Sequence, residues 1–193
     1  MIDYIKGTIT KITPTFLTVE TGGIGYMINI SLTTFSSLEG KSEYKVLVHE
    51  IIKEDSHQLF GFAESGERDI FRLLISVSGV GANTARMMLS SLNPAEIEKA
   101  IIGSEVDILK SVKGIGLKTA QRIIVDLKDK LGKQSGSSEI FAYTDNTRRE
   151  EALSALVMLG FAKSAVTKIL DKIVRENKNQ TVEEMIKGAL KNL

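Results

Sequence analysis

The chain has 193 residues, 42% of them hydrophobic, with a formal net charge of +1 and no cysteine. That length allows one large domain or two to three small ones. The absence of cysteine rules out disulfides and thiolate metal sites and fits a reducing cytosol; no run reaches the roughly 18 apolar residues of a membrane span. The N-terminus lacks a basic-then-apolar leader, and His49 and His57 lie without helical ligand spacing, so neither membrane nor metal is expected.

Residues 1–63 read as short strands. Ile5, Ile9, Ile12 and the run Phe16-Leu17-Thr18-Val19 precede a Gly22-Gly23 turn, and Ile24–Ile30 then alternates apolar and polar. Tyr44–Glu50 and Gln58–Phe62 supply two more strands. Five strands in so short a span predict a small barrel, of which the OB type is the common five-stranded case. Glu54 and Asp55 lie in a strand-connecting turn, where acidic residues are ordinarily a solvated tip.

Residues 64–132 read as helices around two nearly identical stretches. Ser76-Val77-Ser78-Gly79-Val80-Gly81-Ala82-Asn83-Thr84-Ala85 and Ser111-Val112-Lys113-Gly114-Ile115-Gly116-Leu117-Lys118-Thr119-Ala120 lie 35 positions apart, and Ser, Val, Gly, Gly, Thr and Ala coincide. Each joins two helical segments. A Gly-apolar-Gly hairpin lets backbone approach a ligand closely, and the helix that follows offers free N–H groups and a positive dipole end to phosphate. Paired copies suit the two neighbouring backbones of a nucleic acid. A dinucleotide fingerprint fails, because Thr84 and Thr119 stand at the sixth position and the preceding segment is helical. A P-loop fails because Leu117 interrupts it, and two copies are too few for a solenoid. Between the hairpins, Asn93-Pro94-Ala95-Glu96 opens a helix that Gly103 ends, and Ser104 with Asp107 opens the next. The expected phosphate ligands are the backbone at Gly79, Gly81, Thr84, Gly114, Gly116 and Thr119, with Asn83, Lys118 and Arg122 on the exposed side.

Residues 133–147 carry little apolar periodicity and read as a flexible tether. In 148–193 the boxes Thr147–Glu150 and Thr181–Glu184, with Ser164, open three short helices around Leu153, Leu156, Val166, Leu170, Ile173 and Met185. The net charges of 1–62, 63–132, 133–147 and 148–193 are −2, +1, −1 and +3. So weakly charged a chain reaches useful DNA affinity through helix N-termini, backbone amides and several copies.

The paired hairpins resemble the helix-hairpin-helix motif, which grips DNA through its backbone. The whole order of barrel, two hairpins, tether and three-helix domain resembles the RuvA family of bacterial Holliday junction proteins. Local text agrees: Gly22-Gly23-Ile24-Gly25-Tyr26 and Thr33-Thr34-Phe35 in the barrel, Lys53-Glu54-Asp55 before Leu59-Phe60-Gly61-Phe62, the second hairpin, and Ala155–Phe161. The resemblance implies an α+β multidomain chain with an N-terminal OB-like barrel (1–63), a tandem helix-hairpin-helix domain (64–132), a linker (133–147) and a UBA-like three-helix domain (148–193). It implies a homotetramer or octamer that binds four-way junction DNA and holds it open and planar. An acidic pin at Glu54 and Asp55 would face the crossover. The hexameric ATPase RuvB would dock on Leu156, Leu159, Phe161 and Leu190, and the resolvase RuvC would join the resolving complex. It implies no cofactor and no catalysis by the chain itself. One departure stands out: Ala82-Asn83 occupies the place where the family commonly has proline and lysine. Two other classes remain open, a helix-hairpin-helix glycosylase or lyase using Asp126 or Asp145 in a base-flipping pocket, and a non-catalytic protein adaptor.

Overall fold

The computed structural model describes residues 1–135, 143–176 and 180–192. The chain divides into two compact units, Met1–Lys133 and Gln134–Leu193.

The first unit begins with strands β1 (Tyr4–Ile12), β2 (Phe16–Thr21), β3 (Ile24–Ile30), β4 (Glu43–Ile52) and β5 (His57–Phe62), with helix α1 (Leu32–Leu38) between β3 and β4. They close into a barrel in the order β1-β2-β3-β5-β4, every pairing antiparallel except β3 with β5. This is the OB arrangement expected from the strand count. Alternation does the sorting: Leu17 and Val19, Ile28 and Ile30, and Val46 and Val48 point inward and are at most 2% exposed. Burying each such side chain stabilises the barrel by about 1.5–3 kcal/mol. The β2–β3 register pairs Thr21 with Ile24 across the two-residue Gly22-Gly23 turn, which demands φ > 0 at both residues. A register shift between Ile9 and Lys11 bends β1 toward closure.

Strand β5 is buried on both faces. A side chain at Gly61 would stand 2.5 Å from Ile28 Cγ2, so the barrel interior has room there only for hydrogen. On the other face, Phe60 and Phe62 pack on Phe71 of helix α2 (Ser65–Ile75), with ring centroids 5.2 and 4.9 Å away. Those phenylalanines belong to the core of the helices that follow, while Leu17, Val19, Ile28, Ile30, Val46 and Val48 form the barrel's own core, so β5 is the wall between two packed interiors. The helices are α3 (Ala82–Ser91), α4 (Pro94–Ile102), α5 (Val106–Lys110) and α6 (Leu117–Ser135).

The Asn93 capping box at α4 and its end at Gly103 form as expected. Ser104 does not open α5. It sits at φ 57° and its hydroxyl accepts from Lys128 Nζ at 2.7 Å, while Glu105 takes the cap position without a side-chain bond. Helix α1 has no counterpart in the strand reading of residues 1–63. Ser31 caps it, its Oγ accepting from Thr34 N at 3.0 Å.

The second unit contains α7 (Tyr143–Met158), α8 (Lys163–Glu176) and α9 (Val182–Leu190) around Ala152, Leu156, Val166, Leu170, Ile173, Met185 and Ala189. The Thr181 box caps α9 as expected. Thr147 opens no helix, because α7 already runs from Tyr143, and α8 starts at Lys163, one residue before Ser164. Helix also covers residues 133–135 and 143–147, which the sequence reading assigned to the tether. The rest of the tether, 136–142, lies outside the described residues.

Candidate nucleic-acid interface

The two glycine stretches fold into the same object. In the first, Ser76 N and Oγ both return to Leu73 O, Val80 N donates to Val77 O at 3.0 Å, and Ala85 N to Gly81 O at 2.9 Å. In the second, Ser111 N and Oγ return to Ile108 O, Ile115 N donates to Val112 O at 3.1 Å, and Ala120 N to Gly116 O at 2.9 Å. Burial matches too: Val77 and Val112 are 2% exposed, Val80 and Ile115 5%, Ala85 and Ala120 0%. The coincident apolar residues are therefore the feet that clamp each hairpin to the core.

The glycines divide the remaining work. Gly79 and Gly114 lie at φ 93° and 94°, a conformation costly for any side chain. Gly81 is extended at φ −84° and ψ 167°, caps α3 without a side chain, and has open space where a Cβ would stand. Gly116 likewise has open space and no positive φ. At these two positions the backbone needs no glycine. What glycine leaves there is clearance over the first amides of α3 and α6, the N–H groups that have no partner inside the helix.

Around these amides Asn83, Lys118 and Arg122 are exposed, and Thr84 and Thr119 are half-buried. Arg122 has a second role that sequence alone does not reveal. Its Nη1 donates to Ser78 O at 3.2 Å, tying the helix after the second hairpin to the tip of the first. Arg86, one turn beyond Asn83, also escaped the sequence reading. Its Nη1 donates to Thr15 O at 2.8 Å, and burial lowers its pKa from the ordinary arginine value.

Glu54 and Asp55 are exposed in the β4–β5 turn, which Lys53 N closes onto Ser56 O at 2.8 Å. His57 follows, its Nε2 2.8 Å from Glu50 Oε1. The backbone N–H of Ile2 holds the Glu50 carboxyl below the ordinary glutamate range, and His57 reinforces this. Where α2 meets α1, Glu67 is buried and accepts from the hydroxyls of Ser31 and Thr34, the latter at 2.6 Å. Burial raises its pKa, and those two bonds pull it back. No residue pattern announces Glu67, because its partners lie more than thirty positions away.

In the second unit, helix α7 ends in a left-handed turn at Gly160 (φ 97°): Gly160 N donates to Val157 O and Phe161 N to Leu156 O. This turn displays Leu159 (63% exposed) and Phe161 (36%). Leu190 is 44% exposed, and Met158, which the sequence reading passed over, 86%. Leu156 does not belong to that surface. It is completely buried, because it lies inside α7 on the face packed into the core, whereas α7 ends at Met158 and Leu159 stands beyond it in the turn.

Family models match along the chain: RuvA N terminal domain over residues 1–61, SAM-like helix-hairpin-helix tandem over 71–129, and RuvA, C-terminal domain over 147–193. A protein of Christiangramia forsetii is 54% identical over 193 residues, covering all of both chains. The chain belongs to the RuvA family. That relative and those of Flavobacterium psychrophilum (49%) and Bacteroides fragilis (47%), also aligned over the full length of both chains, are named Holliday junction branch migration complex subunit RuvA. Membership accounts for the OB barrel, the tandem hairpins and the helical C-terminal unit standing in this order. Among the described residues no helix is long and apolar enough to cross a membrane, and no group of His, Cys, Asp and Glu could hold a metal ion.

Proposed function

We propose that this chain binds four-way junction DNA through its paired hairpins and presents it to a separate motor, RuvB, for branch migration in recombination and repair. The observation that carries the reading is the hairpin pair. Two matched sets of unpartnered helix amides, each cleared by a glycine, are linked by Arg122. Such amides position phosphates and read no base sequence, which suits a protein that follows a junction rather than a site. The chain supplies geometry, and the ATPase chemistry resides in RuvB.

The working unit is a homotetramer in the cytosol. Four copies raise the affinity of a chain with net charge +1, and Ile24, Ile52 and Val125, each more than half exposed, supply apolar surface for subunit contacts. Around a four-fold axis the Glu54 and Asp55 carboxylates converge on the crossover and hold its strands apart. The RuvB surface is the apolar strip at Leu159, Phe161 and Leu190, and RuvC takes the open face of the junction. The glycosylase alternative finds no support, since Asp126 is exposed on α6 rather than set in a pocket; the side chain of Asp145 lies outside the described residues.

Band shifts with a four-way junction and with linear duplex of the same arm sequence test the reading. Junction binding that survives an excess of duplex is expected. Equal affinity for both, or none for either, would overturn it.

A further inference from the structure

A cleft of about 360 Å³ opens in the first unit between the barrel and α3. Its barrel wall is built by Met27 and Asn29 of β3 and by the first residues of β5, which directly follow the acidic turn. Its other wall is Asn83 and Arg86 of α3, directly after the first hairpin. The cleft thus lies between the two features read above as facing the crossover and the phosphates.

Its chemistry is specific. Asn29, Gln58 and Asn83 are carboxamides, the group that pairs with the edge of a base. The His57 imidazole and the Arg86 guanidinium are flat surfaces on which bases stack. Met27 and Leu59 add apolar contact, and no carboxylate is among the lining residues. The parts are partly fixed in advance. Asn29 Nδ2 donates to Leu59 O at 3.2 Å, and Arg86 is held by Thr15 O. The Gln58 and Asn83 amides have no hydrogen bond within the chain among the described residues and are left to a ligand. The volume falls at the small end of the ~300–1,000 Å³ range of ligand sites. It admits one base and excludes a duplex.

We propose that this cleft receives a single unpaired base from the strand nearest the crossover, so that each subunit holds an opened nucleotide as well as duplex backbone. The proposal rests on the junction-binding reading. Carboxylates that push strands apart cost base pairs, and a base lost from its partner needs new hydrogen bonds and stacking. The cleft supplies both within reach of the hairpin that holds the neighbouring phosphate. The side-chain amide of Asn83, expected from the sequence to face a phosphate, then serves a base edge instead.

The test uses the full chain and four-way junctions carrying one 5-iodouracil, at the crossover or in the middle of an arm, irradiated and mapped by peptide mass. Crosslinks from the crossover position are expected in the peptides containing Met27 or His57, and none from the arm position. Gln58→Ala, an exposed change that leaves the fold alone, should lower that yield about fivefold or more, as expected for one base-pairing amide. Arg86→Leu should do the same. A junction that shifts normally in gels but crosslinks at its crossover only outside the cleft would overturn this proposal alone. A chain that does not shift the junction would overturn the functional reading and this proposal with it.

Discussion

Alanine at each of the four hairpin glycines separates folding from binding. At Gly79 and Gly114 a Cβ would meet nothing within 4 Å, so the whole cost is the backbone at φ 93° and 94°. Holding a side chain in so sparsely populated a region costs of order 1–3 kcal/mol. Taking about 2 kcal/mol for a domain of this size, the melting temperature should fall by roughly 6–10 °C. At Gly81 the backbone is extended and accepts any residue. Alanine is the poorer helix cap but restricts the unfolded chain by about 0.4–1 kcal/mol, so stability should stay nearly unchanged. The new methyl does, however, stand over the α3 amides. A lost charge-assisted bond of about 1.5–3 kcal/mol corresponds to roughly tenfold or more in affinity. Gly116→Ala should behave in the same way at α6. Thermal melts by circular dichroism, and anisotropy titrations of a labelled junction at one salt concentration, read the two effects independently. If Gly81→Ala and Gly116→Ala melt early, or bind the junction like the parent, these glycines do not serve as clearance for a phosphate.

Lys118→Ala should lower the slope of log affinity against log salt by about one counterion, while Arg122→Ala should also lower the melting temperature, because it releases the Ser78 carbonyl of the other hairpin; equal melting temperatures for the two variants would contradict that link. Glu54→Gln with Asp55→Asn should bind four-way DNA at least as tightly but discriminate less against duplex, since repulsion over roughly the 8 Å Debye length disappears; an unchanged junction-to-duplex ratio would make these residues an ordinary solvated turn. Burial raises the Glu67 pKa in the folded state, so its contribution is fully present below about pH 4.3 and fades as pH rises through the folded value. Glu67→Gln should therefore gain on the parent between acid and neutral pH in urea titrations, and a pH-independent difference would refute this. A chain ending at Lys133 should still shift the junction but fail to stimulate RuvB-driven migration; normal stimulation would show that the strip at Leu159 and Phe161 is not the motor's docking surface.

The features legible in the sequence were those set by neighbours along the chain. Period-two alternation placed the strands, because a side chain's face of a sheet depends only on its parity. The Asn93 and Thr181 boxes marked helix starts, because a cap bonds three residues onward. The repeat exposed the two hairpins, because a glycine at φ near 93° and an apolar foot on each side are needed wherever that turn is made. Local rules failed where a competing partner lay elsewhere. Ser104 was read as a cap, yet its hydroxyl goes to Lys128 on α6. Leu156 reads as part of one surface with Leu159, yet α7 ends at Met158 and its closing turn carries Leu159 off the buried face that holds Leu156. Only the tertiary structure joined Arg122 to Ser78, buried Glu67 against Ser31 and Thr34, and faced β3 and β5 with α3 across a cleft. Such pairings are settled when the barrel closes and Phe60 and Phe62 dock on Phe71, and no stretch of sequence contains both partners.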